Sequence, residues 1–115
     1  MDSRARVLVW HRGDDPEALV RAYTEAAPDL AEVEGLERTE LLFGVAGAGF
    51  GTGPVVLEMH FTDIEAFRRW ERSPQHRQKT SPMRRFQDRS RPGGHYEIYE
   101  VPALDAGVSE GRDPR

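Results

Sequence analysis

The stretch from residue 61 to residue 76, FTDIEAFRRWERSPQH, combines a helix start with an apolar stripe. Thr62 and Glu65 have the spacing of a capping box, in which the threonine hydroxyl caps the helix and the glutamate reaches back to it. Phe67 and Trp70 follow at the spacing that places two side chains on one helix face. The stretch therefore predicts a short amphipathic helix whose aromatic face packs on the rest of the protein.

This helix is predicted to break at Ser73-Pro74, and His76 follows on the first turn of the next helical piece. A tryptophan and a histidine beside a helix break can wall a small-molecule pocket. The positive end of a helix disfavours a charged imidazolium, so His76 is predicted to be neutral and able to accept a proton. The alternatives are a surface or capping role for His76 and core packing for Trp70.

Runs of β-branched, aromatic and alternating apolar residues predict four strands around two helical regions. The first helix is predicted to begin at Pro16, to kink or restart at Pro28 and to end at Gly35. The order strand, helix, strand, strand, helix, strand predicts an α+β fold, a ferredoxin-like βαββαβ sandwich with an antiparallel sheet. Residues 1–103 are assigned to this domain, and the polar residues 104–115 to a disordered tail. The predicted strands span residues 6–11, 36–45, 54–62 and 95–101.

Both faces of the predicted sheet carry apolar residues. On the first strand, Val7 and Val9 alternate with Leu8 and Trp10. Two helices cover only one face, so the other face needs a partner, and a second copy of the chain is the simplest one. The sequence therefore predicts a homodimer formed sheet to sheet, burying roughly 800 Å² per subunit.

The composition excludes several classes of protein. The chain has 115 residues and no cysteine, which excludes disulfides and thiolate metal sites. No apolar run reaches the length of a membrane span, and the N-terminus lacks the apolar core of a signal peptide. A soluble cytoplasmic protein with no membrane partner is predicted.

Positive charge is concentrated between residues 63 and 91, where nine basic residues outnumber four acidic ones although the net charge of the chain is −4. Such a block is compatible with nucleic acid, with an anionic small ligand or with a solvated helix face. The acidic remainder and the lack of a recognition motif favour the solvated face, so no nucleic acid partner is predicted.

With these elements in place, the sequence EAFRRWERSPQHR resembles the antibiotic biosynthesis monooxygenase (ABM) domains, which are dimeric α+β barrel proteins. The typical family helix reads aromatic, two residues, Trp, two residues, Ser, two residues, His, and four residues match it. PEALVRAY in the first helix and EVEGL before the second strand are also similar, so the resemblance covers about residues 6–101. The four matching residues are Phe67, Trp70, Ser73 and His76.

The resemblance implies a cofactor-independent monooxygenase that acts on a polycyclic aromatic or polyketide intermediate and on molecular oxygen. In such oxygenases a tryptophan that matches Trp70 lines the pocket, with an asparagine that would fall at Ala66 and a tyrosine near His76. The chain has no asparagine, which also disfavours the haem-degrading branch of the family. A polyketide cyclase and a non-catalytic ligand-binding protein share the architecture and stay open as alternatives.

Within this frame, His76 and Trp70 are predicted to be catalytic, with His76 as the base that removes a phenolic or enolic proton. No cofactor and no metal are predicted, although three histidines, His11, His60 and His95, lie on three neighbouring strands and make a metal site a minority interpretation. His60, beside Glu58, is predicted to face the helices and line the pocket. The predicted substrate-binding residues are His60, Tyr23, His11, Phe67 and Arg85.

Overall fold

A computed structural model describes residues 3–44, 54–75 and 81–102 of the chain. The predicted base His76, the predicted end of the second strand at Val45, the loop that follows it and the predicted tail 104–115 lie outside the described residues. No helix in the described residues is long and apolar enough to cross a membrane. The strands and helices are β1 (Ser3–His11), α1 (Pro16–Leu30), β2 (Leu36–Phe43), β3 (Val55–Phe61), α2 (Ile64–Arg72), α3 (Ser81–Arg84) and β4 (Tyr96–Pro102).

The four strands form one antiparallel sheet in the order β2-β3-β1-β4. This order places the first and third strands at the centre, as a ferredoxin-like fold requires. The predicted α+β sandwich with an antiparallel sheet is therefore confirmed.

The core lies between one face of the sheet and the helices. Every second residue of β3, from Val55 to Phe61, is buried on this inner face. Leu19 and Leu30 of α1 belong to the same core and pack on this face from the helix layer. From α2, Phe67 and Trp70 enter the same core, with their ring centroids 5.5 and 5.8 Å from the Phe61 ring. The predicted aromatic face of the helix is thus the face that packs.

Two predicted helix boundaries are wrong by a few residues. The N-cap of α2 is Asp63, whose carboxylate accepts a hydrogen bond of 2.7 Å from the Ala66 amide, so the cap lies one residue after the predicted Thr62. α1 runs through Pro28 and ends at Leu30 instead of Gly35. After the Ala31 cap, the amides of Glu32 and Val33 donate to carbonyls only three residues earlier, so the chain tightens and leaves the α-helix.

Gly35 instead forms the turn into β2, where its φ of 85° is a conformation that favours glycine. Its carbonyl accepts a 2.8 Å hydrogen bond from the Thr62 amide, which brings the start of α2 beside the start of β2. A Cβ added to Gly35 would lie 2.5 Å from the Cβ of Ala66, closer than two carbon atoms pack. A glycine is therefore required at position 35 for two reasons: it allows the positive φ, and it leaves room for the close approach of α2.

The substitution Gly35→Ala is expected to lower the free energy of unfolding by about 2–4 kcal/mol, because it combines a left-handed backbone penalty with a steric clash. Chemical denaturation measures this loss. Gly93→Ala is the matched control, since Gly93 has a φ of 88° and open space around its Cβ position. A double variant with Gly35→Ala and Ala66→Gly lacks the clash between the two Cβ atoms, so it should recover the part of the lost stability that the clash causes. Equal losses for Gly35→Ala and Gly93→Ala would show that the close approach has no energetic weight.

The sheet face turned away from the helices is here called the outer face. Strand register divides its central part into three rows that run across the strands, each about 7 Å from the next because the rows are two residues apart. They are an apolar row (Leu42, Val56, Trp10), an acidic row (Glu40, Glu58, Leu8, Glu97) and a basic row (Arg38, His60, Arg6, Tyr99).

Candidate functional site

A cavity of about 260 Å³ opens between the inner face of the sheet and α2. One wall comes from the two central strands and the other from the aromatic side chains of α2, because those elements present their buried faces to each other. The segment from α3 to the start of β4 closes one end and supplies most of the polar groups. The lining residues are Val7, Val9, His11, Leu57, Met59, Phe67, Trp70, Glu71, Met83, Arg84, Gln87, Arg89, His95 and Tyr96.

His11 lies at the end of β1 and is almost fully buried, with 3% of its surface exposed. Its Nδ1 atom is 2.9 Å from the Val9 carbonyl oxygen. Burial is the main reason that the pKa of His11 falls from 6.5 to about 4; the Val9 carbonyl opposes the fall and His95 adds to it. His11 is therefore a neutral imidazole at physiological pH and a weak base.

The rim of the cavity carries charged groups of both signs. Burial, and then the charges of Arg89 and Arg84, lower the pKa of His95. Burial and the neighbouring Glu71 raise the pKa of Tyr96, whose hydroxyl donates a 3.2 Å hydrogen bond to the Glu71 carboxylate. The polar end of the cavity is therefore positively charged beside His95 and negatively charged beside Glu71.

Three of the predicted site residues line this cavity: Trp70, Phe67 and His11. Trp70 also lines a second cavity of about 250 Å³ near the end of α2, together with Gln75, the residue before His76. Trp70 thus lies between the two cavities. A tryptophan in this position can present its indole to a ligand while part of the ring stays packed in the core.

The other predicted site residues in the described part of the chain lie elsewhere. The hydroxyl of Tyr23 lies 2.6 Å from the Thr39 hydroxyl oxygen, which ties α1 to β2. Arg85 is exposed, and its guanidinium lies 4.8 Å from the centre of the Phe86 ring. The cavity is instead lined by the neighbouring Arg84.

His60 points to the outer face, because the alternate residues of β3 fill the inner face. The expectation that it faces the helices is therefore wrong. The three histidines predicted on strands do not share a face either. His11 and His95, which lies just before β4, line the cavity, and His60 lies on the opposite side of the sheet.

On the outer face, the ligand atoms of Glu40, Glu58 and His60 lie within 4.8 Å of one another. Two arginines compensate the carboxylates, since Arg6 lies 3.8 Å from Glu58 and Arg38 lies 3.9 Å from Glu40. A cation would have to compete with both guanidinium groups. We therefore interpret this cluster as a charge layer of the outer face and not as a metal centre.

Several lining residues escaped the sequence analysis. Met83, Gln87 and Arg89 come from the segment between α3 and β4, whose position depends on hydrogen bonds to β1 that no local pattern encodes. The Arg12 amide donates to the Phe86 carbonyl and the Asp88 amide donates to the Trp10 carbonyl. The sequence feature that could have indicated this part of the site is the high density of polar and charged side chains between Met83 and Tyr96.

Solved structures with the same fold include an oxygenase. SnoaB, a cofactor-independent oxygenase from Streptomyces nogalater, is 19% identical, covers 91% of this chain and 96% of its own, and has a TM-score of 0.62. The fold is shared. An EthD family protein from Bacillus halodurans is 15% identical, covers 89% of this chain and 99% of its own length, and has a TM-score of 0.59. A protein from Caulobacter crescentus, described as a candidate antibiotic biosynthesis monooxygenase, is 10% identical, with 90% and 92% covered and a TM-score of 0.58.

No protein-family model matches the sequence, and no curated protein matches it. The resemblance to ABM domains is thus confirmed at the level of the fold, with similarity spread over nine-tenths of the chain. A shared fold does not specify the reaction or the substrate, because one architecture carries many activities.

Proposed function

We propose that this protein is a cofactor-independent monooxygenase-like enzyme that acts on a polycyclic aromatic or polyketide intermediate, as a cytoplasmic homodimer. The observation that carries the proposal is the cavity beside Trp70, with aromatic and thioether walls and a polar end. Its volume of about 260 Å³ is close to the lower limit of ligand cavities, roughly 300 Å³.

The walls of the cavity favour a flat apolar ligand. Trp70 and Phe67 from α2 face Leu57 and Met59 from the sheet, and Met83 adds a second thioether. Aromatic faces and methionine side chains are good contacts for a ring system. The polar groups are confined to one end, so they would orient the oxygen substituents of the ligand without interrupting this apolar contact.

The proposed reaction needs a base, a bound substrate and molecular oxygen. Removal of a phenolic or enolic proton gives an electron-rich anion, which combines with oxygen to a peroxide. The proton held by the base returns to the peroxide. Loss of the remaining hydrogen on the same carbon as a proton then forms a carbonyl group and breaks the O–O bond, so one oxygen atom stays on the substrate and the other leaves as water. We propose His76 as the base, because His11 is too weak a base for this step.

The outer face supports a homodimer. It exposes Leu42 and Tyr99 by 44% and 49%, and the helices cover only the opposite face. A two-fold axis that runs parallel to the rows, midway between the acidic and the basic row, would place the acidic row of one copy on the basic row of its partner. An axis along the strands would place like charges on each other, which is unfavourable. We therefore propose the first arrangement.

The proposed activity predicts that the purified, colourless protein consumes one molecule of oxygen per molecule of an anthrone and forms the anthraquinone and water, without added metal or flavin. Trp70→Phe is expected to lower kcat/KM about tenfold, because the smaller ring loses part of the substrate contact. An oxygen electrode and product chromatography measure both. Glu25→Gln, an exposed change on α1, is the matched control and should keep full activity.

Other outcomes would identify the alternatives. Ring closure of a polyketide without oxygen would indicate a cyclase, and tight binding without turnover would indicate a binding protein. Either result would overturn the oxygenase proposal. A His76→Ala protein with unchanged kcat would overturn the assignment of His76 as the base and leave the reaction class intact.

A further inference from the structure

We propose that Nε2 of His11 accepts a hydrogen bond from an un-ionised hydroxyl group of the ligand, and that this contact makes the cavity select a neutral hydroxyl over an ether or a carboxylate. The inference deepens the proposed function and rests on it for the position of the ligand in the cavity. It concerns recognition and involves no chemical step.

The tautomer of His11 follows from its contact with the backbone. Nδ1 lies 2.9 Å from the Val9 carbonyl oxygen, and a carbonyl oxygen only accepts hydrogen bonds. Nδ1 therefore carries the proton. In a neutral ring the other nitrogen, Nε2, then has a lone pair and can only accept.

Nε2 is buried and finds no hydrogen-bond partner among residues 3–44, 54–75 and 81–102. Buried polar atoms are almost always paired in folded proteins, and an orphan usually has a ligand, a water or a function. His11 lines the cavity, so a bound ligand can supply the missing donor. Since the orphan is an acceptor, the ligand must bring an N–H or O–H group.

Burial is the main reason that the His11 ring stays neutral among the charged groups at this end of the cavity. His95, Arg84 and Arg89 line the same end of the cavity, and Glu71 with Tyr96 lies on its rim. Burial and the neighbouring His95 hold the pKa of His11 at about 4, so Nε2 stays unprotonated at neutral pH. A carboxylate placed here would set its lone pairs against the lone pair of Nε2, and an ether has no proton to donate.

Of the N–H and O–H groups that could donate to Nε2, the surroundings of His11 favour a hydroxyl group on a ring. The apolar walls formed by Leu57, Met59 and Phe67 would hold the ring, and His11 would meet a substituent at its edge. Gln87 forms an antiparallel bridge with His11 and also lines the cavity, so a second polar group lies beside the first. A ring hydroxyl next to a carbonyl would use both.

The test compares anaerobic binding of 1-naphthol, 1-methoxynaphthalene and 1-naphthoate to the full-length protein by calorimetry. Wild type is expected to bind 1-naphthol about tenfold or more tightly than either other ligand, the order expected for one hydrogen bond to a buried acceptor. His11→Phe should bring the ratio for the naphthol and the methyl ether close to one. His11→Gln, whose side-chain oxygen can replace Nε2 as acceptor, should restore part of the preference.

Because each ratio is measured on one protein, differences in stability between variants cancel. Nitrogen NMR of the wild type gives a second test that needs no variant: it should show the proton on Nδ1. An equal naphthol-to-ether ratio in wild type and His11→Phe, or a proton on Nε2, would overturn the inference. A retained preference in a protein that consumes no oxygen would overturn the proposed function and leave this inference standing.

Discussion

Lowering the pH from 7 to 4 is expected to destabilise the wild-type fold by about 3 kcal/mol more than it destabilises a His11→Phe variant. The cause is the burial of a neutral imidazole at the closed end of the cavity. In the folded chain the pKa of His11 is about 4, and in the unfolded chain it returns to 6.5. The unfolded chain therefore binds a proton in a pH range where the folded chain does not.

The direction follows from where the proton binds. Above pH 6.5 His11 is neutral in both the folded and the unfolded chain, so its burial adds no pH dependence to the free energy of unfolding. Between pH 6.5 and about 4 the unfolded state gains a proton and the folded state stays neutral, so stability falls as the pH falls. Below the folded pKa both states are protonated and the loss levels off.

Urea denaturation of both proteins at several pH values between 7 and 4 measures this effect. Carboxylates also titrate in this interval, but they are common to wild type and variant, so the difference between the two curves isolates His11. Parallel curves would contradict a buried neutral His11. His11→Phe replaces the ring with an apolar one, which avoids leaving a cavity.

The second large effect is expected on assembly. Reversing the acidic row with Glu40→Arg and Glu58→Arg should raise the dimer dissociation constant at least about 100-fold, because two basic rows would then face each other. Analytical ultracentrifugation measures the constant. Reversing the basic row with Arg6→Glu and Arg38→Glu should raise the dissociation constant by a similar factor, because two acidic rows would then face each other.

Two controls separate the interface from a general loss of stability. An equimolar mixture of the two double variants should form heterodimers, since an all-basic face then meets an all-acidic one. A chain that carries all four reversals exchanges the two rows and should dimerise as wild type does. A wild type that stays monomeric at high concentration, or double variants with an unchanged constant, would contradict the proposed interface.

Local sequence signals predicted the elements well where the signal and the physical cause lie within a few residues. Pro16 marks the start of α1, where the Asp15 carboxylate accepts from the Ala18 amide at 3.1 Å. Ser73 ends α2 as predicted, and its hydroxyl donates a 2.8 Å hydrogen bond to the Trp70 carbonyl. The cap of α2 moved from Thr62 to Asp63 because both side chains can cap and only the packing of the helix on the sheet chooses between them.

The candidate site was only partly predictable. Trp70 and Phe67 were found because the helix that carries them has a clear apolar period, and a buried aromatic face has few places to lie other than a cavity wall or the core. Tyr23 and Arg85 were predicted to bind the substrate from their residue types and their places in the predicted elements, but their contacts with Thr39 and Phe86 lie elsewhere. The role of His76 stays a prediction.

The sequence by itself determined the order of the elements, the antiparallel α+β fold and the aromatic face of α2, because periodicity and capping are local and repeat along the chain. The tertiary structure alone decided which face of the sheet is covered, so that His11 is buried beside the cavity and His60 lies on the outer face. It also decided that the segment before β4 closes the cavity. These outcomes depend on strand register and on contacts between residues far apart in the chain, which a shift of one residue would reverse.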